Sequence, residues 1–263
     1  MKQNKYFSPG RFARLLRNDW LINQKTYLFT ITSLFIVYYS FTFYLMWVSN
    51  KFHNDEYIGL FMANLAIVGI VTGLSFPALT NPNKTSNFLL TPGSTLEKYM
   101  VQFVLRFVIF VPITLLIFWI SMYLAKASLF PDPTTGINPA QKIPDFHFSI
   151  LYHSLFYKDI LLVLLGIFSM YAFLFTGSVY FKRFALPKTL ILFAIIVGTV
   201  SLSFVISSHL FFPASTNGFD IIFPIYKINS DTENIKLFFY IIFGCPWLFL
   251  LPLAYFKLKE KEV

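Results

Sequence analysis

The chain has 263 residues, of which 56% are apolar, 20% aromatic and only 13% charged, a composition that excludes an ordinary soluble domain. Its formal net charge is +9, but the basic residues flank apolar segments, so no nucleic-acid partner is predicted. The single cysteine, Cys245, excludes an internal disulfide.

The N-terminal segment, residues 8–26, is predicted to form an interfacial helix that lies along the lipid bilayer. Ser8 can cap this helix, and Pro9 suits its first position. Asp19 and Asn23 interrupt its apolar face, and contact with protein is one explanation. The alternative is a basic flank that only sets the orientation of the chain. The residues that define the basic and the apolar faces are Arg11, Arg14, Phe12, Leu16 and Trp20.

Six apolar stretches are long enough to cross a bilayer, which takes roughly 20 residues of helix. No catalytic domain fits between them, because the longest connection, 126–159, has 34 residues. The fold class predicted is therefore all-α, a polytopic membrane protein with a single transmembrane domain over residues 1–263. The predicted spans are 27–48, 58–79, 101–125, 160–181, 188–212 and 236–256.

The distribution of basic residues predicts the orientation of these spans. Of the 21 lysines and arginines, 15 lie in or next to the termini and the even-numbered connections, with Arg106 counted in the second connection, and 6 lie in or next to the odd-numbered connections. Because cytoplasmic segments carry the excess of positive charge, both termini are predicted to be cytoplasmic.

Motifs for catalysis are missing from the sequence. It has no GxxxxGK[ST] phosphate loop, no HExxH and no GxSxG, so we predict a non-catalytic chain without cofactor or metal. Any ATP hydrolysis must then come from a separate polypeptide. No Asp or Glu lies near the middle of a span, which disfavours an ion-coupled carrier.

The connection 80–100 carries the most specific local signal. Ser94 and Glu97 have the spacing of a capping box, which predicts a helix that begins near Thr95. The apolar residues 88–90 precede it, and together they suggest a docking surface for another protein. An ordinary turn followed by a helix start is the alternative.

The stretch 89–99 resembles a Leu-x-Pro-x-Ser-x-x-Glu-Lys-aromatic segment of bacterial permease subunits of ATP-binding-cassette transporters, in the type-2 exporter class. The matching residues are Leu90, Pro92, Ser94, Glu97, Lys98 and Tyr99. The resemblance implies a connection that couples the spans to a cassette ATPase. The coupling residues that it implies are Phe88, Leu89, Leu90, Ser94, Glu97, Lys98 and Tyr99.

The function expected on these grounds is that of a permease subunit of an ATP-driven exporter in a bacterial plasma membrane. Its expected partners are a cassette ATPase, the lipid bilayer, and a second copy or another permease subunit. The main alternative is a membrane anchor or assembly protein that transports nothing. An ion-coupled carrier and an intramembrane enzyme rank below both.

Overall fold

The computed structural model describes residues 7–48, 53–80, 90–129, 143–147, 160–181, 183–211 and 244–261, together with residues 85, 88 and 149. This part of the chain is helical and contains no strand. Five of its helices are long and apolar enough to cross a membrane. The protein is therefore a helical membrane protein in its architecture, as the composition predicts.

Helix α1, Pro9–Val48, joins the predicted interfacial segment and the first predicted span into one helix of 40 residues. Pro9 is its first residue, and the carbonyl of Ser8 accepts the backbone N–H of Phe12 at 2.9 Å. At 1.5 Å per residue α1 is about 60 Å long, roughly twice the hydrocarbon thickness of a bilayer. The structure thus has no helix end near residue 27, where the sequence predicts a boundary.

Helix α2, Asn54–Gly73, begins with Asp55 and Glu56 in its first turn, where carboxylates interact favourably with the helix dipole. The α-helix ends before Pro77, and a short 3₁₀ helix, Pro77–Thr80, follows. The predicted span 58–79 therefore ends later than the helix. Pro77 lacks a backbone N–H, and in a continued α-helix its ring would crowd the carbonyl of Gly73, four residues earlier, which explains the end of the helix at Gly73.

Helix α3, Thr95–Phe103, continues through a π-helical segment, Val104–Phe110, into α4, Val111–Ala127. Pro112 lacks the N–H that an α-helix needs at this point, and its ring crowds the preceding turn. A local widening of the helix accommodates such a residue, which accounts for the π-helical segment just before it. The three segments together contain the predicted span 101–125.

The C-terminal part of the described chain has three further helices: α5, Ile160–Tyr180, α6, Ala185–Phe211, and α7, Trp247–Glu260. Helices α5 and α6 coincide closely with the predicted spans 160–181 and 188–212. Residues 236–243, the first part of the sixth predicted span, lie outside the described residues.

Two separate sets of contacts hold connections together, one at each end of the helix bundle. At one end Tyr57 donates to the carbonyl of Pro144 at 2.9 Å, and Lys126 pairs with Asp145 at 2.6 Å, which joins the first and third connections. The start of α1 meets the second connection at the other end, through Glu97. These contacts tie the start of α1 to the start of α3 and the start of α2 to the described part of the third connection.

Helices α2, α4 and α5 lie inside the bundle, whereas α1 and α6 expose most of their surface. Of the most apolar 18-residue stretch of each helix, 11% is buried in α1 and α6, but 50% in α5. Phe29 in α1 and Leu202 in α6 are 74% and 63% exposed. Apolar surfaces of this extent suit contact with lipid or with another membrane subunit.

Candidate functional site at one end of the bundle

The start of α3 is held by the capping box that the sequence predicts. The hydroxyl of Ser94 accepts the backbone N–H of Glu97 at 3.2 Å, and Glu97 Oε2 accepts the backbone N–H of Ser94 at 2.9 Å. Each side chain thus satisfies a backbone donor that the helix end leaves without a partner. The predicted helix start at Thr95 is confirmed.

The second carboxylate oxygen of Glu97 joins α3 to the start of α1. Glu97 Oε1 accepts the backbone N–H of Ser8 at 2.7 Å and Arg11 Nε at 3.2 Å, and Arg11 Nη2 lies 3.1 Å away. One carboxylate therefore caps α3, caps the first turn of α1 and pairs with an arginine. We call these four residues, Ser8, Arg11, Ser94 and Glu97, the carboxylate junction.

The carboxylate junction is shielded from solvent on the side of Glu97. The side chain of Glu97 is fully buried, whereas that of Arg11 is 29% exposed. Glu97 precedes the apolar stretch that begins at Val101. Burial alone raises the pKa of Glu97, but the N–H groups of Ser94 and Ser8 and the Arg11 guanidinium lower it by more, so its net pKa lies below the ordinary value.

The predicted coupling residues differ in exposure. Lys98 and Tyr99 are buried, and the Tyr99 hydroxyl donates to the carbonyl of Leu251 in α7 at 3.1 Å. Phe88 is half-buried with its ring 6.3 Å from that of Phe76. Leu90, by contrast, is 80% exposed.

Leu89, which the sequence also assigns to the coupling surface, lies outside the described residues. Among the predicted coupling residues that the structure describes, only Leu90 thus offers a largely exposed apolar side chain. Phe88 contributes its ring to the protein interior instead, because Phe76 packs against it.

The predicted interfacial residues all lie within the first twelve residues of α1. Arg11 belongs to the carboxylate junction, and Arg14 is exposed and donates to the carbonyl of Gly10 at 3.2 Å. Phe12 and Leu16 are half-buried. Trp20 is 37% exposed, and its ring stacks on Tyr27 with centroids 5.7 Å apart.

A cavity of about 410 Å³ lies between α1, the 3₁₀ helix, Phe88 and the α3 to π-helical segment. We call it the basal cavity. Its polar wall contains Asp19, whose carboxylate accepts Gln102 Nε2 at 3.2 Å and the Tyr27 hydroxyl at 2.7 Å. Arg106 stands over the Tyr27 ring at 5.8 Å from its centroid, and Lys98 also lines the cavity.

Two residues of the basal cavity stand out in the sequence, but nothing in the sequence predicts that they lie close together. Asp19 interrupts an apolar helix face, and Arg106 lies in an otherwise apolar stretch. The structure brings these two residues, 87 positions apart in the chain, to the wall of one cavity. Contact with protein, one of the explanations for Asp19, is therefore the correct one.

Comparisons with known proteins give no match, whether against protein-family models, curated proteins or solved structures.

Proposed function

We propose that the chain is the membrane-spanning permease subunit of an ATP-driven exporter and works with a cassette ATPase on a separate polypeptide. The observation that carries this proposal is the carboxylate junction. It ties the start of α1 to the connection whose residues 89–99 resemble, in sequence, the coupling segment of type-2 exporters. A partner that moves this connection would therefore move α1 with it.

In this proposal, the ATPase exerts force on the exposed part of the connection, and the connection passes it to the helices of the bundle. In the proposed complex, the exposed Leu90 contacts the ATPase, and ATP binding moves the connection. Glu97 transmits this displacement to α1, and Tyr99 transmits it to α7 through the carbonyl of Leu251. The ATPase thereby changes the relative stability of two access states of the helices.

The transport pathway requires a second set of spans, because six helices line only half of such a pathway. We therefore propose a homodimer or a pair with another permease subunit. The outward-facing apolar surfaces of α1 and α6 are available for this contact as well as for lipid. The membrane is proposed to be the plasma membrane of a bacterium, with both termini in the cytoplasm.

The test is capture of the full-length chain from its own membranes, with crosslinking and mass spectrometry, followed by ATPase assays. We expect a cassette ATPase to co-purify, and hydrolysis to require both polypeptides. A complex that contains no ATPase would support the alternative, a membrane anchor or assembly protein, and would overturn the exporter proposal.

Leu90→Asp is the informative variant in this experiment, because Leu90 is exposed and makes no contribution to the core. The matched control is Phe184→Asp, which charges an apolar residue that is 75% exposed in another connection. We expect ATPase binding to weaken by about fivefold to thirtyfold in Leu90→Asp alone, which corresponds to a loss of about 1–2 kcal/mol at the interface. Equal binding by both variants and the wild type would show that Leu90 lies outside the contact.

A further inference from the structure

The C-terminal ends of α5 and α7 lie at the same end of the bundle as the carboxylate junction. Tyr99, two residues after Glu97, packs its ring against that of Phe175 with centroids 5.6 Å apart, and it donates to the carbonyl of Leu251. Phe175 lies in the last two turns of α5, and Leu251 lies in the last three turns of α7. Both helices therefore end close to this surface of the protein.

Aromatic rings and lysines from three helices meet there. Lys257 Nζ of α7 stands over the Tyr180 ring at 5.3 Å from its centroid. The Tyr180 ring lies beside that of Phe181, with centroids 5.5 Å apart, and Lys188 Nζ of α6 stands 6.0 Å from the Phe181 centroid. Arg183 and Phe184 lie in the turn between α5 and α6. We call this surface the basic rim, which consists of Tyr180, Phe181, Arg183, Phe184, Lys188 and Lys257.

The basic rim lies in a part of the chain with a large excess of positive charge. The sequence segments 181–188 and 256–262 contain six lysines and arginines and two glutamates, a net charge of +4. One of these glutamates, Glu260, pairs with Lys257 at 2.5 Å, and the net charge already includes it. The excess therefore does not depend on any one lysine lacking a partner. Arg183 and Lys188 are exposed, so their charge is accessible from outside.

Phe184 has a backbone conformation that does not favour a phenylalanine. Its φ is 51°, in the left-handed region that glycine adopts most readily, and it is the one non-glycine residue with positive φ in the described part of the chain. Its carbonyl accepts the backbone N–H of Lys188 at 3.1 Å, so it caps α6, where glycine or asparagine is preferred. The side chain is nevertheless 75% exposed. Contact with an apolar environment outside the protein would account for the ring.

The basic rim lies where the apolar outer surface of the helices ends. In α6 the large exposed apolar residues begin at Leu190 and Ile191, directly after Lys188. In α7 they end at Phe256, directly before Lys257. Because acyl chains cover the apolar surface of a membrane protein, the level at which this surface ends is that of the lipid head groups.

Composition favours a lipid partner over a protein partner. Of the six basic residues in the two segments, five are lysines. Lysine is depleted at interfaces between proteins. Clusters of four to eight lysines and arginines beside the cytoplasmic ends of membrane helices, by contrast, attract acidic lipids. The ammonium group of lysine acts as a point charge, which suits phosphates that move within a membrane surface.

We propose that the basic rim binds the head groups of acidic phospholipids in the adjacent leaflet. Arg183 and Lys188 lie against the phosphates, and the Phe184 ring inserts among the upper parts of the acyl chains. This contact holds the turn between α5 and α6 at the membrane surface. The inference requires only that the chain resides in a membrane, and it does not depend on the exporter proposal.

The experiment uses the full-length protein in neutral detergent micelles, with native mass spectrometry to measure bound lipid. The probes are short-chain phosphatidylglycerol, the corresponding phosphatidylcholine, and glycerol phosphate without acyl chains. We expect phosphatidylglycerol to bind at least about tenfold more tightly than the other two, because each of them lacks either the net charge or the apolar chain. Its binding should weaken as the ionic strength rises, since salt screens the attraction.

Variants that change the charge of the basic rim should shift this binding in opposite directions. The double variant Arg183→Gln with Lys188→Gln should weaken phosphatidylglycerol binding by at least about tenfold, since each basic residue near a membrane surface attracts acidic lipid. The exchange Arg183→Lys with Lys188→Arg keeps the charge and is the matched control, which should bind like the wild type. Glu260→Gln removes an exposed carboxylate and should strengthen binding by several-fold. A misfolded protein cannot account for an increase.

Phe184→Asn separates the lipid contact from protein stability. Asparagine tolerates the left-handed conformation and caps helices well, so this variant should melt at the same or a higher temperature in neutral detergent without added lipid. It should nevertheless bind phosphatidylglycerol about fivefold more weakly, because the inserted ring is lost. Phe184→Leu keeps an apolar side chain and should bind like the wild type.

Equal binding of the two phospholipids by the wild type would overturn the proposal, and glycerol phosphate that binds as well as the lipid would show that the ligand is a soluble anion instead. The assignment to the basic rim would be wrong if the double glutamine variant bound phosphatidylglycerol like the wild type. A lower melting temperature of Phe184→Asn without added lipid would show that the ring stabilises the protein itself.

Discussion

Glu97 accepts a hydrogen bond from the backbone N–H of Ser8, 89 residues earlier in the chain, at 2.7 Å. The same side chain closes a capping box with Ser94, three residues earlier. A local helix cap thus also acts as a long-range tie between two helices. Because the carboxylate is buried, its direct neighbours are groups of the protein itself, and a partner would sense Glu97 through the elements that it joins.

The first prediction concerns the charge of Glu97. Glu97→Gln keeps the size of the side chain but removes the negative charge of the group that accepts hydrogen bonds from Ser8 and Arg11. Hydrogen bonds to a charged group are worth about 1.5–3 kcal/mol, so we expect the free energy of unfolding to fall by about 1–3 kcal/mol. Denaturant unfolding in detergent measures it. Glu260→Gln, which breaks an exposed pair with Lys257, is the control and should have no measurable effect.

The second prediction follows from the lowered pKa of Glu97. Its folded-state pKa lies below the ordinary value of 4.5, so the carboxylate contributes stability above pH 4.5, and this contribution disappears as the pH falls through the folded pKa. We expect the stability difference between the wild type and Glu97→Gln to be constant near neutral pH and to shrink below 4.5. Unfolding measured across this pH range would contradict the prediction if the difference grew on acidification.

The third prediction tests the close packing of α5 and α6. A Cβ added at Gly177 would lie 2.0 Å from Thr189 Oγ1 and 2.7 Å from its Cβ, so Gly177→Ala forces the helices apart. Overpacking of this kind costs about 1–3 kcal/mol. We expect a corresponding fall in thermal stability and recovery when Thr189→Gly is added. Gly198→Ala is the control in α6, since nothing lies within 4 Å of its added Cβ.

The fourth prediction concerns a polar contact between α1 and α2. The Tyr38 hydroxyl donates to Asn64 Oδ1 at 2.8 Å, and both residues are buried. Tyr38→Phe should lower stability by about 0.6–2 kcal/mol, the range for hydrogen bonds between membrane helices. Tyr44→Phe, at a position 60% exposed, should change nothing. An unaltered unfolding curve for Tyr38→Phe would show that this contact does not stabilise the helix pair.

The fifth prediction is the orientation in the membrane. In a Cys245→Ser background, cysteines at exposed positions Asp55 and Asp145 should react with an impermeant reagent added to intact cells. Cysteines at Leu90 and Lys259, also exposed, should react only after the cells are opened. The expected labelling pattern follows from the positive charge, because the predicted cytoplasmic segments carry 15 of the 21 lysines and arginines. Labelling of Leu90→Cys in intact cells would reverse or reject the six-span arrangement.

The amino-acid sequence by itself determined the features that depend on neighbouring residues. Apolar stretches of about 20 residues predict helices that cross a membrane, and five such helices are present in the described part of the chain. Ser94 and Glu97 are three residues apart, so their mutual hydrogen bonds follow from helix geometry, and α3 begins where they predict. Signals of this kind need no knowledge of the fold.

Only the tertiary structure decided which distant residues meet. Glu97 Oε1, the oxygen that does not take part in the capping box, could have faced water or a partner. The packing of α1 against α3 places it against Ser8 and Arg11 instead. The half-buried Phe88 packs against Phe76, whereas Leu90 lies at the surface. These outcomes depend on the rotation and spacing of whole helices, which many weak contacts set together, so no short stretch of sequence encodes them.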